Sequence, residues 1–136
     1  MKEGEKDRTS VLVVDNEIEF ASTLAERLQM RGYDATAVYS AEDAFEAVKK
    51  SLPDIMLLDH VMPGTSGVEA LTTMKTCFPN VFVFLLTGQV DIEKELEGIR
   101  LDNFSLILKP VDISALTVMI DRAKLEMTNK RKLQEP

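Results

Sequence analysis

The sequence predicts an α/β domain on a doubly wound parallel sheet. Three observations carry this: short continuous apolar runs, helical spacing between them, and capping or turn residues at the joints. The chain has 136 residues, one domain's worth. A chain this size removes roughly two thirds of its unfolded surface from water, so a single hydrophobic core suffices.

Four runs lack the alternation of a half-exposed strand and fit strands buried on both faces: Val11 to Val14, Ile55 to Leu58, Val81 to Leu86 and Leu106 to Leu108. Ala35 to Val38, after Gly32, reads as a weaker fifth strand, shorter or at an edge. Helices fill the intervals. Ile18, Ala21, Leu24, Ala25 and Leu28 form one apolar stripe. Ser40 stands three residues before Asp43, and Ser66 three before Glu69, the spacing of a capping box or a near relative. The helix after Ser66 should end near Cys77, because Pro79 cannot join it without losing a hydrogen bond. Asp91 and Asp112 are placed to cap the last two helices. The final helix carries Ile113, Leu116, Ile120, Ala123 and Met127 on one stripe, after which the chain turns polar. Residues 1–9 therefore read as an N-terminal extension, 10–128 as the domain, and 129–136 as a polar tail, either a helix extension or a linker. Strand and helix alternate five times, a (βα)5 pattern with right-handed crossovers.

Composition narrows the function classes. With 45% hydrophobic and 29% charged residues the chain is neither disordered nor fibrous. A net charge of -7 and a pI near 4.8 argue against direct nucleic-acid binding and against anionic membranes. The basic cluster Lys130-Arg131-Lys132 reads as a solvated helix face. Cys77, alone, has no disulfide partner and reads as a buried thiol. The charged start of the chain has no apolar signal region, and its longest apolar run is too short to span a bilayer, so a cytoplasmic location is expected.

Each apolar run except the edge one ends in a polar residue: Asp15, Asp59, Thr87 and Lys109. In a doubly wound sheet the carboxyl ends of parallel strands share one edge, where ligands bind. The four residues should meet there. Two neighbouring carboxylates repel unless they share a proton or a cation, and hard oxygen donors at an open crevice suit Mg²⁺. A lysine and a hydroxyl beside them suit a phosphoryl group, and an Asp carboxylate is itself a nucleophile able to take one.

These segments resemble the receiver domain of bacterial two-component response regulators from about Ser10 to Lys124. The matching pieces are Val13-Val14-Asp15-Asn16-Glu17, Leu57-Leu58-Asp59-His60-Val61-Met62-Pro63-Gly64, Leu85-Leu86-Thr87-Gly88 and Leu108-Lys109-Pro110. The resemblance implies a flavodoxin-like sheet of order 2-1-3-4-5. It implies Asp59 as phosphoacceptor, Thr87 as switch hydroxyl and Lys109 as phosphate partner. Asp15, Asn16, Asp59 and the Val61 carbonyl would be the Mg²⁺ ligands. It further implies a cis Lys109-Pro110 bond, a histidine kinase or phosphotransfer protein as donor, and catalysis of nothing beyond the domain's own phosphorylation and dephosphorylation. The partner surface would be the fourth helix, fifth strand and fifth helix, turned toward a downstream protein or a fused output domain; a homodimer is left open.

Two positions depart from the family pattern. Asn16 replaces a second acid, which should weaken Mg²⁺ binding because an amide oxygen coordinates without charge. Leu106 stands where many receivers carry an aromatic residue that turns inward; Phe104 shares its face if the strand extends that far. Val61 and Gln89 lie two positions beyond the acceptor and the threonine, where receivers tune phosphate lifetime. Apolar Val61 cannot orient the attacking water, which implies a long-lived phosphoryl group. Glu17 supports the acidic pocket or favours a helix N-terminus. His60, without a partner histidine or cysteine, reads as an exposed loop side chain. Two other classes compete: a degenerate receiver that signals without phosphate, and a nucleotide-binding or phosphatase enzyme. The second lacks a glycine-rich loop after the first strand and a second acid two positions beyond Asp59.

Overall fold

The computed structural model describes residues 8–134. Five parallel strands form one sheet: β1 Ser10–Val14, β2 Asp34–Val38, β3 Ile55–Asp59, β4 Phe82–Thr87 and β5 Phe104–Leu108. Their order is β2-β1-β3-β4-β5, as the resemblance implies. Four helices accompany them: α1 Ile18–Met30, α2 Ala41–Lys50, α3 Gly67–Cys77 and α4 Ile113–Gln134. No helix among the described residues is long and apolar enough to cross a membrane.

Strand periodicity divides the core in two. Val11, Val13, Ile55, Leu57, Phe82 and Phe84 face α1 and α4, meeting Leu24, Leu28, Leu116 and Ile120. Their neighbours Leu12, Val14, Met56, Leu58, Val83 and Leu85 face α2 and α3, meeting Val48, Leu71 and Met74. Continuous apolar runs are what a sheet covered on both sides requires. Two of the capping predictions hold: Ser40 accepts from the Asp43 N–H, and Ser66 with Glu69 forms a full capping box that starts α3. β5 begins at Phe104, whose side chain packs on the same core face as Leu106.

In the fold, the structure differs from the sequence reading at two places. The crossover from β4 to β5 is a run of turns rather than a helix beginning at Asp91. Its N–H groups reach back three residues, Glu95 to Ile92, Leu96 to Glu93 and Ile99 to Leu96. Ile92 and Leu96 are nevertheless buried in the second core face. Two apolar anchors thus hold the segment without a helix; it is short for a self-supporting one and is broken by Gly98 at φ 79°. Secondly, Cys77 is exposed, since it occupies the last turn of α3 away from both core faces. Of the two readings of the polar segment after residue 128, helix extension or linker, the structure has the first: α4 continues to Gln134, with Lys130, Arg131 and Lys132 exposed on it. Most of the proposed N-terminal extension lies outside the described residues.

At the opposite edge from the strand C-termini, two polar knots tie the elements together. Asp54 accepts from the Ser10 backbone and hydroxyl and from Lys124 Nζ at 2.9 Å, linking β1, β3 and α4. Lys75 of α3 is buried and donates to the carbonyls of Val81, Asp102 and Asn103 at 3.1, 2.8 and 2.8 Å.

Candidate functional site

Parallel registers bring the strand ends level: Val14 pairs with Leu58, Asp59 with Leu86, and Thr87 with Leu108. Pairing continues past the strands, from His60 N–H to the Leu86 carbonyl at 2.9 Å and from Lys109 N–H to the Thr87 carbonyl at 2.8 Å. This ladder places Asp15, Asp59, Thr87 and Lys109 along one edge, where the sequence put them. Asp15, Asp59 and Thr87 are all buried.

Lys109 Nζ donates to Asp59 Oδ1 at 2.5 Å and lies 5.7 Å from the Phe20 ring centroid. The peptide bond between Lys109 and Pro110 is cis. Asp15 Oδ1 accepts the Glu17 N–H at 2.9 Å, whereas its Oδ2 is buried without a hydrogen-bond partner. Burial raises the Asp15 carboxyl above its ordinary range and the Asp59 charge raises it further; the Glu17 N–H and Lys109 oppose the shift. An orphaned carboxylate oxygen beside a second carboxylate is a place for a hard cation. Among the described residues no group of three or more His, Cys, Asp and Glu residues is placed to hold a metal. Two carboxylates completed by neutral oxygens and water fit Mg²⁺, which is bound through few protein carboxylates. Asn16 and Val61 both lie exposed on the loops bordering this pocket.

His60 is not the exposed loop residue expected. It is 5% exposed, with Nδ1 2.8 Å from Thr87 Oγ1 and Nε2 3.2 Å from Glu95 Oε1. The ladder bond from its own N–H draws the residue inward beside β4, and the ring finds polar partners there. Thr87 Oγ1 also accepts the Gln89 N–H at 3.0 Å. Sequence reasoning missed Gly67 as well. A Cβ there would stand 2.7 Å from His60 Cα and 2.9 Å from its carbonyl oxygen, and closer still to the Asp59 carbonyl. Its N–H donates to the His60 carbonyl at 2.9 Å. The one available signal was glycine placed directly after a serine cap, where any good helix former would otherwise serve.

A doubly wound sheet with a lysine-paired carboxylate, a second acid and a buried hydroxyl at its carboxyl edge defines the class: an α/β domain equipped to handle phosphoryl groups. The chain matches the response regulator receiver domain over residues 11–121 and belongs to that family. It is 25% identical over 124 residues to the regulatory protein AtoC of Escherichia coli, covering 91% of this chain and 27% of that protein. Among solved structures it is similar to the receiver domain of NtrX from Brucella abortus, with TM-score 0.72, 25% identity, and 84% and 97% of the two chains covered. The chemotaxis protein CheY4 of Vibrio cholerae shares the fold, with TM-score 0.75, 22% identity, and 85% and 98% covered. The chain thus spans about a quarter of the length of AtoC but nearly all of an isolated receiver. Receiver domains accept a phosphoryl group from histidine kinases, generally with Mg²⁺, and regulate output domains, and this chain is a signal-transduction domain of that kind.

Proposed function

We propose that Asp59 is the phosphoacceptor. The observation that carries this is the buried Asp59 carboxylate paired with Lys109 and set beside the unpartnered Oδ2 of Asp15. In the transfer an Asp59 carboxylate oxygen attacks phosphorus of a donor phosphohistidine. The new P–O bond forms as the P–N bond breaks, and the imidazole nitrogen leaves with its electron pair and takes a proton. Lys109 neutralises the incoming charge as a point cation. Thr87 supplies a hydroxyl donor to a phosphoryl oxygen. Asp15, Asn16, Asp59 and the Val61 carbonyl would hold Mg²⁺, which when bound offsets charge on the carboxylates and the phosphoryl oxygens. Phosphoryl transfer depends mainly on such positioning and neutralisation, so no further general base is required.

The domain acts on itself alone, through its own phosphorylation and dephosphorylation. Its donor is a histidine kinase or a phosphotransfer protein in the cytoplasm. Val61 is exposed and apolar beside the acceptor and gives an attacking water no hydrogen-bond partner, which supports a long-lived phosphoryl group. The responding surface is the crossover from Asp91 to Asn103 with β5 and α4, where Leu101, Leu108 and Val118 are exposed to meet a downstream protein or fused output domain. Incubation with acetyl phosphate and Mg²⁺, followed by intact-mass and peptide analysis, should place one phosphoryl group on Asp59 and none on Asp59→Asn. Unchanged labelling of Asp59→Asn would remove the assignment.

A further inference from the structure

The hydroxyl expected to meet the phosphoryl group is already committed elsewhere. Glu95 Oε1 lies 3.2 Å from His60 Nε2, and a carboxylate only accepts, so Nε2 carries the ring proton. In the neutral ring Nδ1 is then an acceptor, and Thr87 donates its hydroxyl proton to it across 2.8 Å. The remaining contact of Oγ1, from the Gln89 N–H, uses a lone pair and leaves that proton assignment intact. A hydroxyl has one proton to give. Thr87 cannot serve His60 and a phosphoryl oxygen together.

The far end of this chain of bonds matters as much. Glu95 lies in the Asp91 to Arg100 crossover, which has no α-helical ladder and is pinned by the buried side chains of Ile92 and Leu96. The imidazole is its polar tether to the site. Nearly all of His60 is inside the protein, whereas the Glu95 side chain is 48% exposed and free to leave.

We infer that His60 is a positioning residue that couples Thr87 to the β4–β5 crossover: when Thr87 turns its hydroxyl to the phosphoryl group, His60 loses its Nδ1 partner, reorients, and releases Glu95. This rests on Asp59 being the acceptor and Thr87 its hydroxyl donor. A charged phosphoryl oxygen outcompetes a neutral imidazole nitrogen, because hydrogen bonds to ionised acceptors are about twice as strong. The ring cannot stay as it is, since a buried acceptor left unpaired is unfavourable. Its simplest remedy is rotation, and rotation breaks the Nε2 contact at the other end. The phosphoryl group thereby acts on the crossover through one ring with two partners, a two-state element of the kind that allosteric coupling requires.

The test uses the ¹⁵N-labelled protein with beryllofluoride and Mg²⁺ as the phosphoryl mimic. Adduct formation on Asp59 is read by ¹⁹F NMR, the imidazole nitrogens by ¹⁵N shifts, and residues 91–100 by amide shifts. The unliganded protein should show the Nε2–H tautomer with a hydrogen-bonded Nδ1. On adduct formation the Nδ1 hydrogen-bond signature should vanish as the crossover amides move. In Glu95→Ala and His60→Phe the adduct should still form, with crossover displacement reduced at least roughly twofold. Glu95→Gln, whose amide oxygen still accepts from Nε2, should retain the wild-type response. Glu95→Ala alters a half-exposed side chain and keeps the question open to measurement if His60→Phe fails to fold. An adduct with full crossover displacement in Glu95→Ala, or with an unchanged imidazole signature in wild type, overturns the coupling while leaving Asp59 as acceptor. No adduct in wild type overturns the acceptor reading and the coupling with it.

Discussion

Two lysines stand at opposite edges of the same sheet and do different things. Lys109, at the carboxyl edge, faces one carboxylate and is about one-third exposed. Lys75, at the amino edge, is buried and faces three backbone carbonyls from the segments leading into β4 and β5. Carbonyl partners are fixed by the backbone and satisfy all three ammonium donors, so Lys75 is a clamp. A single carboxylate partner that is itself reactive leaves Lys109 free to follow a changing charge. The residue type is the same. The number and mobility of the partners separate structure from function.

The largest expected effect breaks the clamp. Lys75→Met should cost about 3 kcal/mol in urea unfolding, because three carbonyls lose a charged donor in a buried place. Lys109→Met should cost about half that, since water reaches its neighbourhood, and yet halt phosphoryl uptake from acetyl phosphate. Equal losses of stability would erase the distinction between the two edges.

Titration sharpens it. Burial lowers Lys75 to about 8; the Asp102 charge opposes the shift and Arg100 adds to it. The unfolded chain keeps this proton up to the ordinary value of 10.5. Between those limits the unfolded state binds more protons, so this group's contribution to stability rises with pH. Denaturant midpoints of wild type relative to Lys75→Met should therefore climb across that window, by about 2–3 kcal/mol in free energy. A flat difference would mean that the carbonyls hold the ammonium charged throughout.

At the other edge, Asp15→Asn should stabilise the metal-free protein by about 1 kcal/mol at neutral pH, since it removes a desolvated charge beside Asp59. The same variant should lose Mg²⁺-dependent labelling, whereas neutral substitutions at the amino edge should leave it intact. The smallest effect concerns Asn16→Asp, expected to tighten Mg²⁺ binding severalfold, on the order of 1 kcal/mol, in a calorimetric titration. Equal affinity would show that the amide oxygen suffices.

The sequence made the fold legible because a sheet covered on both faces needs unbroken apolar runs, and four of the five strands have them; only the edge strand β2, interrupted by Thr36, is weak. It made the four strand-end residues legible for a related reason: polar groups that interrupt such runs have to lie at an edge. The β4–β5 crossover was misread because Asp91 stands where a cap would and the strand-helix alternation calls for a helix there, whereas neither reports the hydrogen-bond pattern of the segment. The buried contacts of His60 and Lys75, and the part of Glu95, were hidden for another reason. Their partners are distant in sequence and, for Lys75, entirely backbone, so no side-chain motif marks them. Cys77 shows the converse: apolar neighbours along the chain did not make it buried, because the helix turned it outward.

Gly67 gives the site a fixed wall. With no room for even a methyl group between the start of α3 and the Asp59-His60 backbone, that side of the acceptor cannot yield when charge and bulk arrive. Recoil is forced to the opposite side, through β4 and the loosely built crossover. If Asp59 is the acceptor, as proposed, the close backbone contact at Gly67 favours a response through β4 and the crossover rather than through α3.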